Sequence, residues 1–554
     1  MLRVVLETMC MGYLIINVMI IIIEEKEKME KRPFFLALLL CLSILITGCG
    51  SCENAGKESS QVSSGEAVEN QNVVLRIGAI DDFKASGSGR TLVFDPLTRL
   101  DKDMNPVPYL VSWESDPDHK EYKLTVKEGV KFHDGKNLEA DSILWDIQKL
   151  GAIYYCGYAN YLDEVKQDDT YSLTVKFKQS YPRFPAELST ILAMPVDNMS
   201  EDFALKSFNG TGPFCVEEYV ADQTSKLERN ENYWNKDKLP QVTNIEWIPI
   251  ADGASRILAL KNGQVDVVGL TDGYNTFAFN LLNDLEKDQS ASMIVEPSDH
   301  FTSANCLGLN WQKGVLKDIN LRAAICYGIN REPLVKNILF DIPKVVDHYI
   351  GDAYWDAPSH YVEGIGYDPE KSKEFLEKGG YKSVDGKITK DGKVVKLNLV
   401  ISDSHAYKDV GQYIKSELEK MGFECDLSVL EYNQAFEKQK NLEYDATISW
   451  PWYEPVADSL PSMGLTKEYN SMGLGGMVSD KMQEYADEFY AAKNQEEAKP
   501  ALKKIWQLQY DSYLAAPLYA TTRITVHNKK FDGYLFDPCY FQLDLSELHL
   551  AENK

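Results

Sequence analysis

The chain has 554 residues, and its 84 Asp and Glu residues against 58 Lys and Arg residues give a formal net charge of −26. So acidic a protein is a poor partner for nucleic acid or anionic lipid, and its charge favours solubility. The roughly 480 residues from Val73 onward suffice for two or three domains with substantial cores.

The residues from Met29 have the pattern of an export signal. A Lys-Arg pair at 31–32 precedes an apolar run at 34–46. This run is too short to cross a hydrocarbon core of about 30 Å, but it has the length of a signal-peptide core. It leads into Ile-Thr-Gly-Cys, with Cys49 last, and this ending resembles the lipobox of bacterial lipoproteins. The resemblance implies cleavage before Cys49 and a lipid on that cysteine, which anchors the protein at the extracytoplasmic face of the cell membrane.

Two further N-terminal segments are set apart by their composition. Residues 1–28 end in Glu-Glu-Lys-Glu-Lys, whose codons contain only purines, as in a ribosome-binding site that has been translated by mistake. We therefore expect Met29 to be the true start, residues 1–28 not to be translated, and residues 29–48 to be the signal peptide. Residues 49–72 are rich in Ser, Glu, Gln and Asn without an aromatic residue, so they are predicted to form a flexible tether.

Beyond the tether, the pattern is mixed α and β without strict alternation. β-branched or alternating apolar residues predict strands at 74–77, 122–126, 172–177, 264–268, 396–400 and 444–450. Apolar residues at spacings of three and four predict helices at 140–150, 253–260, 321–329, 372–378, 409–421, 480–492 and 496–513. The segment 395–450 reads as strand, helix, strand, helix and strand. This is half of a doubly wound sheet, whose ligand crevice lies beyond the carboxyl end of a strand.

Residue types that carry catalysis or bind metal show no informative spacing. None of the six cysteines after Cys52 sits in a CxxC motif, the 8 histidines are unpaired in sequence, and no GxSxG or HExxH motif occurs. We therefore predict no metal site, no cofactor, no catalytic residue and no enzymatic activity. The six cysteines are expected to be buried thiols, and the alternative that two of them form one disulfide outside the cell is left open.

Seven short phrases follow one another along the mature chain. They are PYLVSWE (108–114), LTVKEGVKFHDG (124–135), GTGPF (210–214), RNENYW (229–234), LKNGQVD (260–266), DINLRAA (318–324) and GYDPEK (366–371). In this order they resemble the family 5 extracellular solute-binding proteins of ABC importers, which capture peptides and nickel. Most are expected to shape the backbone: Gly135 should close a turn with a positive φ, and Gly210 and Gly212 should allow close backbone approach.

The resemblance implies an α/β fold of the periplasmic-binding-protein type. Such a fold has two lobes, two hinge strands and an extra domain inserted in the first lobe. The predicted segments are residues 73–95, 205–300 and 520–554 for the first lobe, 96–204 for the inserted domain and 301–519 for the second lobe. A protein of this kind closes on its solute between the lobes and delivers it to permease subunits.

The strand predicted at 444–450 is followed by a turn rich in aromatic and acidic residues. In the family this turn lines the pocket, so the resemblance implies solute contacts from Trp450, Trp452, Tyr453, Glu454 and Asp458. Aromatic walls with an acid suit an amine-bearing or cationic ligand. Two aromatic loops are expected to complete the pocket, with Tyr158 from the inserted domain and Trp355 from the second lobe.

The sequence departs from both familiar ligand types of the family. Peptide binders usually carry an aspartate a few residues after the tryptophan, and neither Glu454 nor Asp458 has the expected spacing. Nickel-type members hold the metal complex with arginines of the inserted domain, but Leu192 stands where one is expected, and no histidine occurs at 461–477. The solute is therefore left open among an oligopeptide, an amine-bearing molecule and a metal chelate.

The predicted function is that of a lipid-anchored solute-binding protein that serves an ABC permease. Two alternatives stay open on the sequence: an extracytoplasmic sensor or signal-peptide receptor of the same fold, and a secreted hydrolase. Neighbouring permease and ATPase genes would favour import, and an isolated gene would favour sensing. Turnover of a bound ligand would favour the hydrolase.

Overall fold

The computed structural model describes residues 72–84, 86–101, 105–151, 156–200, 204–270, 277–288, 291–295, 303–351, 355–403, 407–449, 479–493, 495–521, 523–534 and 543–551. The predictions for residues 1–71, including Cys49, lie outside this part of the chain. No described helix is long and apolar enough to cross a membrane.

The largest described sheet has seven strands, and we call it the first-lobe sheet. In spatial order the strands are Ser292–Val295, Ile524–His527, Val267–Val268, Val74–Ala79, Asn244–Pro249, Ser225–Arg229 and Phe214–Glu218. The strand Val74–Ala79 is parallel to both of its neighbours, and the remaining pairs are antiparallel. All seven strands come from segments that the sequence assigns to the first lobe.

The second-lobe sheet has five strands, and all of their residues except Ala520 come from the segment predicted as the second lobe. In spatial order they are Glu424–Leu430, Lys396–Ser402, Ala446–Ser449, Ala304–Leu309 and Ala515–Ala520. The first three are parallel and are connected by the helices Tyr407–Lys420 and Tyr432–Lys440. The predicted alternation of strand and helix over 395–450 is therefore confirmed, and the carboxyl ends of these three strands meet at one edge of the sheet.

The inserted-domain sheet has four strands, each antiparallel to its neighbour. In spatial order they are Val111–Ser115, Glu121–Val126, Ser172–Phe177 and Leu162–Gln167. Three small sheets pair Thr98–Leu100 with Pro106–Pro108, Lys387–Lys390 with Lys382–Val384 and Lys393–Val394, and Phe531–Asp532 with His549–Leu550.

The remaining helices surround these sheets. Those longer than one turn are Ala140–Trp145, Gly253–Lys261, Phe279–Asp288, Ile319–Gly328, Glu332–Ile338, Pro369–Lys378, Asp480–Ala491 and Gln495–Asp511. Short helices are Gly87–Arg90, Tyr158–Tyr161, Phe184–Glu187, Leu188–Thr190, Lys236–Lys238, Gly314–Lys317 and Pro358–His360, and a π-helical turn at Asp146–Leu150 extends the helix that precedes it. The GYDPEK phrase begins a helix because Asp368 accepts a hydrogen bond from the backbone N–H of Lys371 and Pro369 takes the first helical position.

One predicted strand is shorter than the sequence pattern indicates. The prediction covers 264–268, but only Val267–Val268 pairs as a strand. The backbone N–H of Gln264 bonds back to the preceding helix at the carbonyl of Ala259, which ends that helix in a turn. Asp266 contacts Arg76 of the neighbouring strand Val74–Ala79 through an ion pair at 2.8 Å and through a hydrogen bond from its backbone N–H to the carbonyl of Arg76 at 2.8 Å. The turn at Gln264 therefore takes the place of the first residues of the predicted strand.

The inserted domain and the first lobe share one hydrophobic interior. A single cluster of buried side chains includes Leu124 and Val175 of the inserted-domain sheet together with Ile77 and Trp247 of the first-lobe sheet. A second cluster contains the second-lobe sheet and its helices and reaches the first lobe at the helix Gly253–Lys261. The inserted domain is thus packed as an extension of the first lobe.

Candidate solute-binding site

In the part of the chain that the structure describes, two crossings connect the lobes, and their second-lobe ends lie side by side. The first crossing enters the strand Ala304–Leu309, and the second leaves the strand Ala515–Ala520. Thr521 on the second crossing donates its backbone N–H to the carbonyl oxygen of Ser303 on the first at 2.9 Å, and its hydroxyl to the same oxygen at 2.5 Å. Two adjacent crossings of this kind are the hinge strands that the fold class requires.

The predicted pocket turn begins at the carboxyl edge of the second-lobe sheet. Ser449 is the last described residue of the strand Ala446–Ser449 and pairs in register with Cys306. The five residues predicted to contact the solute in this turn lie outside the described residues, namely Trp450, Trp452, Tyr453, Glu454 and Asp458. Their contacts with a solute stay a prediction, but the strand that presents the turn has the expected place in the sheet.

Three polar side chains lie where the second-lobe sheet meets the two crossings. Tyr407 donates its hydroxyl hydrogen to Oδ1 of Asn305 at 2.9 Å, and Asn305 pairs in register with Tyr519. All three residues are buried, and burial raises the pKa of both tyrosine hydroxyls, so they stay neutral and offer hydrogen bonds only. Sequence reasoning missed this cluster because its members come from three separate segments, and the available signal was a single asparagine near the start of an apolar strand.

Trp355 lies in a second-lobe loop that is fixed to a long helix. Its side chain is half-buried against the second-lobe core, and its carbonyl oxygen accepts a hydrogen bond from the hydroxyl of Tyr361 at 3.0 Å. The neighbouring carbonyl of Asp356 accepts from Nε1 of Trp506 in the helix Gln495–Asp511 at 2.8 Å. The loop therefore has a fixed backbone with part of one aromatic ring left accessible.

Tyr158 does not have an accessible ring. Its side chain is 0 % exposed, and its hydroxyl donates to the carbonyl of Ile147 at 2.9 Å within the inserted domain. Its backbone N–H donates to the carboxylate of Glu187 at 3.0 Å, which is also buried. The residue packs in the core and presents no surface to a solute in this structure. We therefore leave it out of the proposed pocket.

The position at which nickel-type relatives were expected to carry an arginine is apolar and nearly closed. Leu192 is 6 % exposed and forms an isolated bridge with Pro96. Two residues on, the backbone N–H of Met194 donates to Asp146 at 3.2 Å, and burial raises the pKa of this carboxyl well above its ordinary value. Leu192 therefore contributes no cation that would hold the carboxylates of a chelate.

Three of the quoted phrases meet at one carboxylate, which we call the Asp95 junction. Asp95 accepts hydrogen bonds from the hydroxyl of Tyr233 at 2.8 Å, from Nε1 of Trp234 at 2.8 Å and from the hydroxyl of Thr211 at 3.0 Å. The hydroxyl of Tyr109 lies 2.8 Å from that of Tyr233 and completes the network. Burial raises the pKa of Asp95 above its ordinary value, against the lowering effect of these hydrogen bonds. Asp95, Thr211, Tyr233 and Trp234 belong to the first lobe, and Tyr109 of the inserted domain also donates its hydroxyl to Asp95, at 3.3 Å. The three phrases thus meet where the inserted domain joins the first lobe.

The glycines of the GTGPF phrase hold two first-lobe segments together beside the Asp95 junction. A Cβ on Gly210 would lie 1.9 Å from the carbonyl oxygen of Val93, and one on Gly212 would lie 2.6 Å from its carbonyl carbon. The predicted close approach of two backbones is confirmed. Gly135 has a φ of 86° in its turn, which confirms the second backbone prediction.

The two lobes, the paired crossings and the sheet edge between them define a two-lobed solute-binding protein. The family model for bacterial extracellular solute-binding proteins, family 5, middle region, matches residues 105–471, and the chain belongs to this family. Membership places the protein on the extracytoplasmic side of the cell membrane. The predicted resemblance and fold class are confirmed.

Known relatives differ in the solutes that their names give. The nickel-binding periplasmic protein of Escherichia coli K12 is 25% identical over 395 residues, which are 66% of this chain and 72% of that protein. The dipeptide-binding protein DppE of Bacillus subtilis 168 is 23% identical over 555 aligned residues, which cover 92% of this chain and 98% of that protein. The match to the peptide-binding relative therefore extends over more of the chain.

Solved structures of similar fold also include both kinds of ligand. NikA from Brucella suis, in complex with Fe(III)-EDTA, has a TM-score of 0.76 at 18% identity and covers 86% of this chain and 99% of its own. The oligopeptide-binding protein AppA from Bacillus subtilis, in complex with a nonapeptide, has a TM-score of 0.68 at 20% identity with the same coverage of 86% and 99%. At these identities the likeness establishes the fold.

Proposed function

We propose that the protein is the solute-capturing lipoprotein of an ABC importer. Lipid on Cys49 anchors it at the outer face of the cell membrane, and it delivers its solute to permease subunits. The observation that carries this proposal is the family match over a chain whose two lobes are joined by adjacent crossings at Ser303 and Thr521. A cleft hinged in this way can enclose a small solute and release it to a partner.

The solute proposed is a short peptide with a free amino terminus. The turn that starts at Trp450 carries aromatic residues and two acids, Glu454 and Asp458, which suit an ammonium group. Leu192 is an apolar and nearly buried side chain at the position where a chelate would need a cation. The longer alignment with a dipeptide-binding relative points in the same direction.

The test is a binding experiment on the purified lipoprotein. Native mass spectrometry first identifies any solute that is retained, and calorimetry then compares dipeptides to pentapeptides with their amino-acetylated forms and with a nickel–histidine complex. We expect the free peptides to bind, and acetylation to weaken binding about tenfold or more, because a charged hydrogen-bonded group is lost. Binding of the nickel complex without binding of any peptide would contradict the proposal.

Two variants then locate the acid that receives the amino terminus. We expect either Glu454→Gln or Asp458→Asn to weaken peptide binding by about tenfold, since each removes one charge from the turn. Glu443→Gln is the matched control, because Glu443 is an exposed acid of the same lobe that pairs with Lys438 at 3.1 Å. Equal affinities in all three variants would remove this turn from the site.

A further inference from the structure

The inserted domain touches the second lobe at the helix Asp480–Ala491, far along the chain from the hinge. The guanidinium carbon of Arg183 lies 4.0 Å from the centroid of the Phe489 ring, and Phe489 is 4 % exposed. A cation at this distance over a ring face is attracted by the ring quadrupole, and more strongly when both are shielded from water. The aromatic ring of Tyr490 lies beside that of Tyr161, with centroids 6.0 Å apart.

An ion pair flanks these ring contacts. Nζ of Lys493 lies 2.5 Å from Oδ1 of Asp118, and the two side chains are 53 % and 55 % exposed. The hydrogen bond to Asp118 raises the pKa of Lys493, so the ammonium group keeps its charge at neutral pH. Asp118 stands in the turn between two strands of the inserted domain, whereas Lys493 follows the second-lobe helix. The pair therefore joins two bodies that the hinge does not join directly.

We propose that these contacts form a latch that stabilises the closed molecule. The latch consists of Asp118, Tyr161 and Arg183 on the inserted domain and Phe489, Tyr490 and Lys493 on the second lobe. The inserted domain shares its interior with the first lobe, so a rotation about the crossings that moves the second lobe away from the inserted domain separates the six residues. The latch goes beyond the proposed function, because it sets the balance of closed and open molecules for any solute.

The chemistry of the latch suits repeated opening. The exposed ion pair exchanges its partners for water at low cost, and the more shielded cation–ring contact is a single attraction, so together they bias an equilibrium without locking it. Such a bias toward the closed form changes the apparent affinity for solute, because a solute that needs the closed form binds in proportion to the closed fraction of the molecules. The latch is therefore a determinant of affinity that lies outside the pocket.

The test measures the distance between the two bodies directly. Spin labels are carried by unnatural amino acids at Lys166 in the inserted domain and Lys440 in the second lobe, both of which are 66 % exposed. Pulsed electron resonance on the full-length, detergent-purified and dialysed protein gives the ratio of short to long distances. We expect Lys493→Asp to lower this ratio about fivefold through loss of attraction and new repulsion.

A charge swap and a matched control make the test decisive. The double variant with Asp118→Lys and Lys493→Asp should recover most of the closed population, whereas Lys438→Asp, which breaks an equally exposed pair with Glu443 within the second lobe, should leave it unchanged. Arg183→Met should lower the ratio up to about tenfold. An unchanged ratio in Lys493→Asp, no recovery in the double variant, or an equal loss in Lys438→Asp would overturn the latch. None of these outcomes depends on which solute the pocket takes.

Discussion

The inserted domain meets the two lobes through contacts of opposite kinds. At the first lobe, the hydroxyl of Tyr109 donates to the buried carboxylate of Asp95, which accepts three further hydrogen bonds from first-lobe residues. Each bond left unmade in such a place costs about 1–3 kcal/mol. Against the second lobe, the ion pair of Asp118 and Lys493 is more than half exposed and water can replace it. The comparison shows which joint carries stability and which one moves: the inserted domain belongs mechanically to the first lobe.

The largest effect is expected from removing the carboxylate of the Asp95 junction. Asp95→Ala leaves the hydroxyls of Tyr233 and Thr211 and Nε1 of Trp234 as buried donors without their acceptor. We expect the free energy of unfolding to fall by about 3–5 kcal/mol, measured by urea denaturation.

The control for this variant comes from the other joint. Asp118→Ala removes an acid of the latch, whose side chain is 55 % exposed, and should leave the urea midpoint unchanged. Similar losses in the two variants would erase the distinction between a stabilising joint and a moving one.

The second largest effect is expected at the backbone contact beside Asp95. Gly210→Ala would put a Cβ 1.9 Å from the carbonyl oxygen of Val93, so the backbone must move and we expect a loss of about 3 kcal/mol. Gly366→Ala is the matched control from another quoted phrase, because a Cβ there would have no neighbour within 4 Å. Its free energy of unfolding should change by about 1 kcal/mol or less. A tolerated Gly210→Ala would mean that the two backbones are not tightly held.

A smaller effect is expected from titrating Asp95. Burial raises its folded-state pKa above the unfolded value of about 3.9, so the folded molecule binds the proton more readily. The cost of the buried charge is therefore present at neutral pH and is relieved as the pH falls through the folded-state pKa. As the pH falls from about 7 to about 4, the free energy of unfolding of the wild type should rise relative to that of Asp95→Asn, as long as unfolding stays cooperative. Parallel pH profiles would show that Asp95 has an ordinary pKa.

The sequence predicted the architecture better than it predicted these joints. Periodicity located the strand-helix alternation of 395–450, because local patterning decides such elements. The quoted phrases identified the family, and glycine chemistry explained Gly135 and Gly210. Asp95 itself was not predicted, because Thr211, Tyr233 and Trp234 come from segments more than a hundred positions away and no local pattern marks such a meeting.

The site shows a similar division. The sequence placed the pocket turn after the strand that ends at Ser449, and the sheet topology agrees with that position. The sequence also proposed Tyr158 as a pocket residue, because an exposed and a buried tyrosine look alike in a sequence. In the structure its ring is buried in the core. The latch residues Arg183 and Phe489 carry no motif, because a contact between two bodies depends on how both fold.

The smallest effect is expected from salt, and it separates the two parts of the latch. At about 1 M salt the Debye length falls to about 3 Å, so the exposed pair of Lys493 and Asp118 should be screened. The closed-to-open ratios of the wild type and Lys493→Met should then become equal, although they differ at low salt. The difference between the wild type and Arg183→Met should persist, because Arg183 stacks on a ring that is only 4 % exposed. If salt removed both differences, the ring contact would be part of the surface electrostatics, and the second lobe would be held by charge alone.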